Sequence, residues 1–125
     1  MRKETKAWIS KANKDLGTAG FAHESVDGPL PVTTGLHCQQ SAEKYLKAFL
    51  QEYQIAFSDQ HNLIPYLEAC ISIDDSFEYL RTDINRLEGY SIAARYPRPD
   101  DSAEFREEAL TSTKRVKEFV LDKLA

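Results

Sequence analysis

Apolar side chains recur every three or four positions through most of this chain, and no stretch sustains the alternation expected of a strand. In the first segment Trp8, Ile9, Ala12, Leu16 and Ala19 share one face, which predicts a helix over about Arg2 to Ala19, with Gly17 and Gly20 weakening its end. Gly28, Pro29, Pro31 and Gly35 then punctuate a connection from Phe21 to Gly35. Thr33 or Thr34 is placed to cap a second helix over Leu36 to Tyr53. At about 100° per residue, Cys38, Ala42, Tyr45, Leu46, Phe49, Leu50 and Tyr53 form its inner stripe. A third, short helix is expected over Gln60 to Ile71, capped by Ser58 or Asp59, because Pro65 is tolerated only in a first turn.

Asp74 or Asp75 opens a fourth helix with Phe77, Leu80, Ile84, Leu87, Ser91 and Ala94 inward. Pro97 and Pro99 restrict Tyr96 and Arg98, so this helix must stop near Tyr96 and Arg95 to Asp101 forms an extended elbow. Asp101 or Ser102 caps the last helix, whose inner residues are Phe105, Ala109, Thr113, Val116, Val120 and Leu124. Four long amphipathic helices and one short one predict an all-α fold, an antiparallel up-and-down bundle with the short helix across one end.

Composition narrows the picture without changing it. A chain of 125 residues with 42% apolar content suits a single domain over 1–125, and no apolar run approaches the eighteen or so residues of a membrane span. The charged N-terminus leads into Trp8 without a signal core, so a cytoplasmic location is expected. Cys38 and Cys70 lack metal-ligand spacing and read as small buried hydrophobes; no metal site or cofactor is expected. A net charge of -4 argues against a protein that coats nucleic acid nonspecifically, and no DNA partner is expected. The stretch 81–98 is the local exception. Arg81, Arg86, Arg95 and Arg98 stand there against Asp83 and Glu88, leaving room for a phosphate site.

The polar face of the second helix carries candidate chemistry. His37, Gln40, Lys44, Lys47 and Gln51 lie opposite the apolar stripe, where a solvated helix is usually written in Glu and Lys. Lys44 and Lys47, with Glu43 and Glu52, read either as a solvated charged face or as a ligand surface. His61 either orients the short helix or does chemistry. Arg95, fixed beside Pro97, can hold a phosphate in two-point fashion or pair with Asp100, Asp101 or Glu43. Tyr90 and Tyr96 can stack on a base or line the core rim.

Three patterns in order resemble the HEPN domain family (higher eukaryotes and prokaryotes nucleotide-binding). His37-Cys-Gln-Gln40-Ser-Ala-Glu43-Lys44 is similar to its second-helix signature; His61-Asn62-Leu63 resembles its His-Asp-Leu, with Asn62 for the usual Asp; Tyr90 to Pro97 closes in the family's Arg-Tyr-Pro. The resemblance implies a small homodimeric helical domain that binds a nucleotide or RNA. It also implies a minimal nucleotidyltransferase partner in a toxin-antitoxin-like module. Many members are metal-independent ribonucleases that use an arginine followed four to six residues later by a histidine. Arg95 matches the arginine, whereas Pro99, Asp100 and Asp101 supply no histidine. Three readings follow. The first is a binding module whose site joins His37, Gln40 and Lys44 to Arg95 and Tyr96, with Glu43, Lys47, His61 and Tyr90 around it. The second is a ribonuclease in which His37 or His61 replaces the missing histidine, and the third is a homodimeric interaction module without catalysis.

Overall fold

A computed structural model describes residues 1–24, 31–58, 60–93 and 103–125, the side chains of 31–33, 90–93 and 103–105 excepted. Within them the fold is all helical: α1 (Lys3–His23), α2 (Pro31–Glu52), α3 (Leu63–Ile73), a 3-10 segment (Asp75–Leu80), α4 (Arg81–Ala93) and α5 (Ala103–Leu124). The four long helices and one short one match the sequence-based expectation. The start of α1 bonds to the end of α2 through Arg2, Thr5 and Glu52, while Asp83 and Arg86 of α4 meet Ser112 and Glu108 of α5. Both pairs therefore run antiparallel.

α2 is the central rod, packed by α1, α3, α4 and α5. Cys38, Ala42, Tyr45, Leu46, Phe49 and Leu50 are buried on it as the stripe predicts. Phe77 joins the core between the rings of Phe49 and Phe119, at 4.4 and 4.9 Å. Leu80, Ile84 and Leu87 of the fourth segment and Ala109, Thr113, Val116 and Val120 of α5 are buried as expected, and Leu124 is partly so. The inward positions Ser91, Ala94 and Phe105, and the caps Asp59, Asp101 and Ser102, lie outside the described backbone or side chains.

Several boundaries differ from expectation, each for a local reason. α1 continues to His23 because Ala19 and Ala22 are buried, which outweighs a cost of about 1 kcal/mol for each of Gly17 and Gly20. α2 begins at Pro31, a residue suited to a first turn, so Thr34 lies inside the helix and does not cap it. Its other end closes after Glu52, leaving Tyr53 exposed and not inward. Gln54, at φ 56°, donates its N–H to the Gln51 carbonyl while Ile55 donates to that of Leu50, the paired bonds of a left-handed helix stop. α3 starts only at Leu63, since Asn62 is extended, and Pro65 falls in the first turn as required. It lies along the middle of α2 and not across an end: Gln39 donates to the His61 carbonyl and the Cys70 thiol points to the Leu46 carbonyl.

Asp74 does cap the fourth segment. Its carboxylate accepts from the Ser76 N–H at 3.0 Å and hydroxyl at 2.6 Å, and meets Lys123 at 2.9 Å. These partners, the Ser76 hydroxyl first, hold the carboxyl down from 3.8 to about 2. A depressed carboxyl stabilises the fold fully above its unfolded value and loses that effect as pH falls through its folded one. The urea midpoint of wild type is therefore expected to exceed that of Asp74→Ala by a constant margin above pH 3.8, and the margin to close by about pH 2. A margin unchanged across that window would refute the capping role.

Candidate functional site

The seam between α1 and α2 is built from small residues seven apart: Thr5, Ala12 and Ala19 on α1, and Thr34, Ser41 and Ala48 on α2, all fully buried. The Ser41 hydroxyl donates to the Ala12 carbonyl at 2.8 Å, so the two backbones approach closely there. Polar side chains flank the seam. Asp15 of α1 reaches across it, its Oδ1 lying 3.1 Å from His37 Nδ1 and its Oδ2 accepting from Lys44 Nζ. His37 and Lys44, two turns apart on α2, are thereby tied to one carboxylate. Gln40, half-buried, lies one turn from each. On the next α2 position the Tyr45 hydroxyl donates to Asn13 Oδ1, and burial pushes its pKa up to about 12.

A second cluster sits where α2 meets the connection to α3. Lys47, expected outward, is buried: its ammonium lies 3.3 Å from Glu43 Oε2 and over the rings of Trp8, Tyr66 and Phe57 at 5.0, 5.2 and 5.8 Å. The Tyr66 hydroxyl accepts from the Gln60 N–H and shares its one proton between the carbonyls of Ser58 and Gln60, at 2.7 and 2.6 Å, fixing that connection. His61 is 82% exposed, with Nδ1 3.5 Å from Glu43 Oε1. That carboxylate oxygen is buried and accepts no hydrogen bond. The polar face of α2 is thus half-buried or buried, because α1 and the α2–α3 connection cover it.

A third cluster links α4 to α5. Asp83, buried, accepts from Ser112 at 2.8 Å and Arg115 at 2.7 Å, with Arg86 at 3.6 Å. Arg86, Arg115, Thr111, Glu107 and Glu108 line an open depression of about 480 Å³ above it. The two glutamates offset the two guanidiniums, so the depression has no marked preference for anions. Nearby, Arg106 Nε donates to His23 Nδ1 at 3.4 Å, joining the end of α1 to α5. The thiols offer no nucleophile. Burial pushes Cys38 up to about 11 against a hydrogen bond from Thr113, and burial raises Cys70 further.

A family model for the HEPN domain matches residues 5–124, nearly the whole of this architecture. The chain belongs to the HEPN domain family. No curated protein and no solved structure matches it. In this HEPN domain the structure joins His37 to Lys44, with Gln40 between them, and groups Glu43 with Lys47 and His61. Arg95 and Tyr96 lie outside the described residues, as does the side chain of Tyr90. No helix is long and apolar enough to cross a membrane among the described residues.

Sequence reasoning missed Asp15, Asp83 and the three rings around Lys47. Asp15 left a trace: it stands three residues after Ala12 and four before Ala19, an acid on the buried side of its helix. Asp83 sits similarly beside Leu80, Ile84 and Leu87. Nothing in the chain marks Trp8 and Phe57, distant in sequence, as neighbours of one lysine.

Proposed function

We propose that this HEPN domain binds a nucleotide or RNA, as a homodimer that forms the binding half of a two-component module with a nucleotidyltransferase-fold partner. The family match across residues 5–124 carries this reading. His37, Gln40 and Lys44 are the α2 side of the site, and Arg95 and Tyr96 of the elbow complete it. Arg95 supplies the net positive charge for a phosphate, Lys44 contacts it while offsetting the Asp15 carboxylate that would otherwise repel it, and the side chains of His37 and Gln40 supply directional hydrogen bonds. In calorimetry, Lys44→Ala and Arg95→Ala are each expected to weaken nucleotide or partner binding at least tenfold. Unchanged affinity in both variants would dismiss this site.

One observation favours a ribonuclease as the second reading. The contact between Asp15 and His37 Nδ1 orients the imidazole and leaves its other nitrogen to move a proton, while Arg95 would stabilise charge on the scissile phosphate. That reading requires RNA cleavage without added metal that disappears in both His37→Ala and Arg95→Ala.

A further inference from the structure

Several cations among the described residues are engaged within the fold. Arg81 binds Glu68 and Glu78, Arg86 meets Asp83 and Glu108, and Arg115 holds Asp83. Lys44 and Lys123 are paired with Asp15 and Asp74. A different set of positive charge lies on the outer face of α1. Lys3, Lys6, Ser10, Lys14, Gly17 and Phe21 follow one another at intervals of three or four, so they form one stripe, and every one of them is exposed. Between Lys3 and Phe21 the stripe holds no acid; the exposed C-cap residue Glu24 follows at its next position. Glu4 sits on the flank of the helix, and Asp15 faces α2. None of the three ammonium groups pairs with an acid among the described residues. Lys114 and Lys117 of α5 are likewise unpaired there, but Glu107, Glu108, Glu118 and Asp122 share that helix.

Two further features extend the stripe beyond a solvated row of lysines. Phe21 is 80% exposed at its end, an aromatic face with no ring or cation against it among the described residues. Between Lys14 and Phe21 stands Gly17, where an added Cβ would meet nothing within 4 Å. Internal packing does not ask for a glycine there, and its absence of side chain opens the helix backbone to close approach from outside. From Lys3 to Phe21 the stripe runs about 27 Å, at about 1.5 Å per residue. In a chain of net charge -4 this is a local concentration of unpaired positive charge ending in an aromatic platform. Single-stranded nucleic acid is recognised by that pair of features: cations along the phosphates and a ring beneath a base.

We infer that the outer face of α1 is a docking surface for single-stranded RNA, with Lys3, Lys6 and Lys14 along its phosphates and Phe21 stacked on a base. The inference rests on the RNA-binding reading above but places binding on the face of α1 turned away from Asp15, which meets His37 and Lys44. Its test is fluorescence anisotropy of a labelled oligouridine of about 15 nucleotides, a length within single-strand site sizes. Wild type is compared with Lys3→Gln/Lys6→Gln/Lys14→Gln and with Phe21→Ala across a salt series. All four side chains are exposed, and matching circular dichroism and urea midpoints establish that the variants fold.

The lysine variant is expected to bind more weakly, with a slope of log affinity against log salt shallower by about 2, three phosphate contacts being lost at about 0.7 each. Phe21→Ala is expected to lose about five- to a hundredfold in affinity with an unchanged slope. If wild type binds oligouridine and both variants bind it identically, the RNA-binding reading stands and this face is not its site. Binding of a nucleotide but not of oligouridine also overturns the inference while leaving the reading. Binding of neither ends both. If the lysines instead govern adhesion to phosphatidylserine vesicles while oligouridine is not bound, the face belongs to a membrane surface and the inference fails.

Discussion

Replacing Lys47 with alanine is expected to lower the free energy of unfolding by about 3–5 kcal/mol, the cost of leaving one half of a buried ion pair without the other. Both side chains of the pair are about 5% exposed, so water cannot solvate the Glu43 carboxylate that remains. That carboxylate already has one buried oxygen without a hydrogen bond. Removing Lys47 also takes the ammonium from between Trp8, Phe57 and Tyr66, and Tyr66 fixes the α2–α3 connection. A second variant separates charge from packing. In Glu43→Leu/Lys47→Met both charges go and apolar volume stays, and such exchanges of buried pairs are often neutral or stabilising. The double variant is therefore expected within about 1 kcal/mol of wild type, far from the sum of its single changes. Urea denaturation followed by circular dichroism measures all of them. A loss below about 1 kcal/mol in Lys47→Ala would mean that the ammonium is not confined as described.

Lys47 also shows where reading the chain stops being sufficient. Periodicity located the inner stripe of α2, and Cys38, Ala42, Tyr45, Leu46, Phe49 and Leu50 are all buried, because apolar burial is encoded residue by residue. It equally located the described parts of the stripes of α4 and α5, and of the two expected caps, Asp74 and Asp75, the first is the one that caps. It could not reveal that α2 has four helical neighbours. A helix moment distinguishes a more apolar face from a less apolar one, and α2 is enclosed on both, so Glu43 and Lys47 on its polar side are inside. The same limit applies to the candidate site. His37, Gln40 and Lys44 were recognisable by their type and phase on one helix. The carboxylate partner of His37 and Lys44, Asp15, comes from 22 and 29 residues earlier, and only the antiparallel register of α1 against α2 brings it there. Helix ends were the least legible feature, since burial of Ala19 and Ala22 overrode the glycines that suggested an earlier stop.

The second large effect is expected at Asp83, the acid that ties α4 to α5. Asp83→Ala should destabilise the fold by about 2–3 kcal/mol, below the full cost for a buried pair, because its partners keep access to water. Arg86 and Arg115 are 31% and 47% exposed, so both guanidiniums can recover hydration once the carboxylate is gone. Ser112 cannot: it is fully buried, its hydroxyl donates to Asp83, and it accepts from Arg86 at 2.7 Å. Asp83→Asn keeps an acceptor for that hydroxyl and removes only the charge, so about half the loss should return. The order of urea midpoints, wild type above Asn above Ala, is the check. Equal midpoints for Asn and Ala would show that charge alone matters there. This node also bears on function. α4 and α5 flank the segment 94–102 that carries Arg95 in the sequence, and Asp83 with Ser112 ties the two helices together little more than two turns from the start of α5. Loosening it should weaken any ligand that Arg95 holds while leaving oligouridine binding on the outer face of α1 unchanged, since no bond links Asp83 to that helix among the described residues. Measuring both affinities in Asp83→Asn at a temperature where the variant remains folded distinguishes Arg95 from α1 as the place where a phosphate is bound.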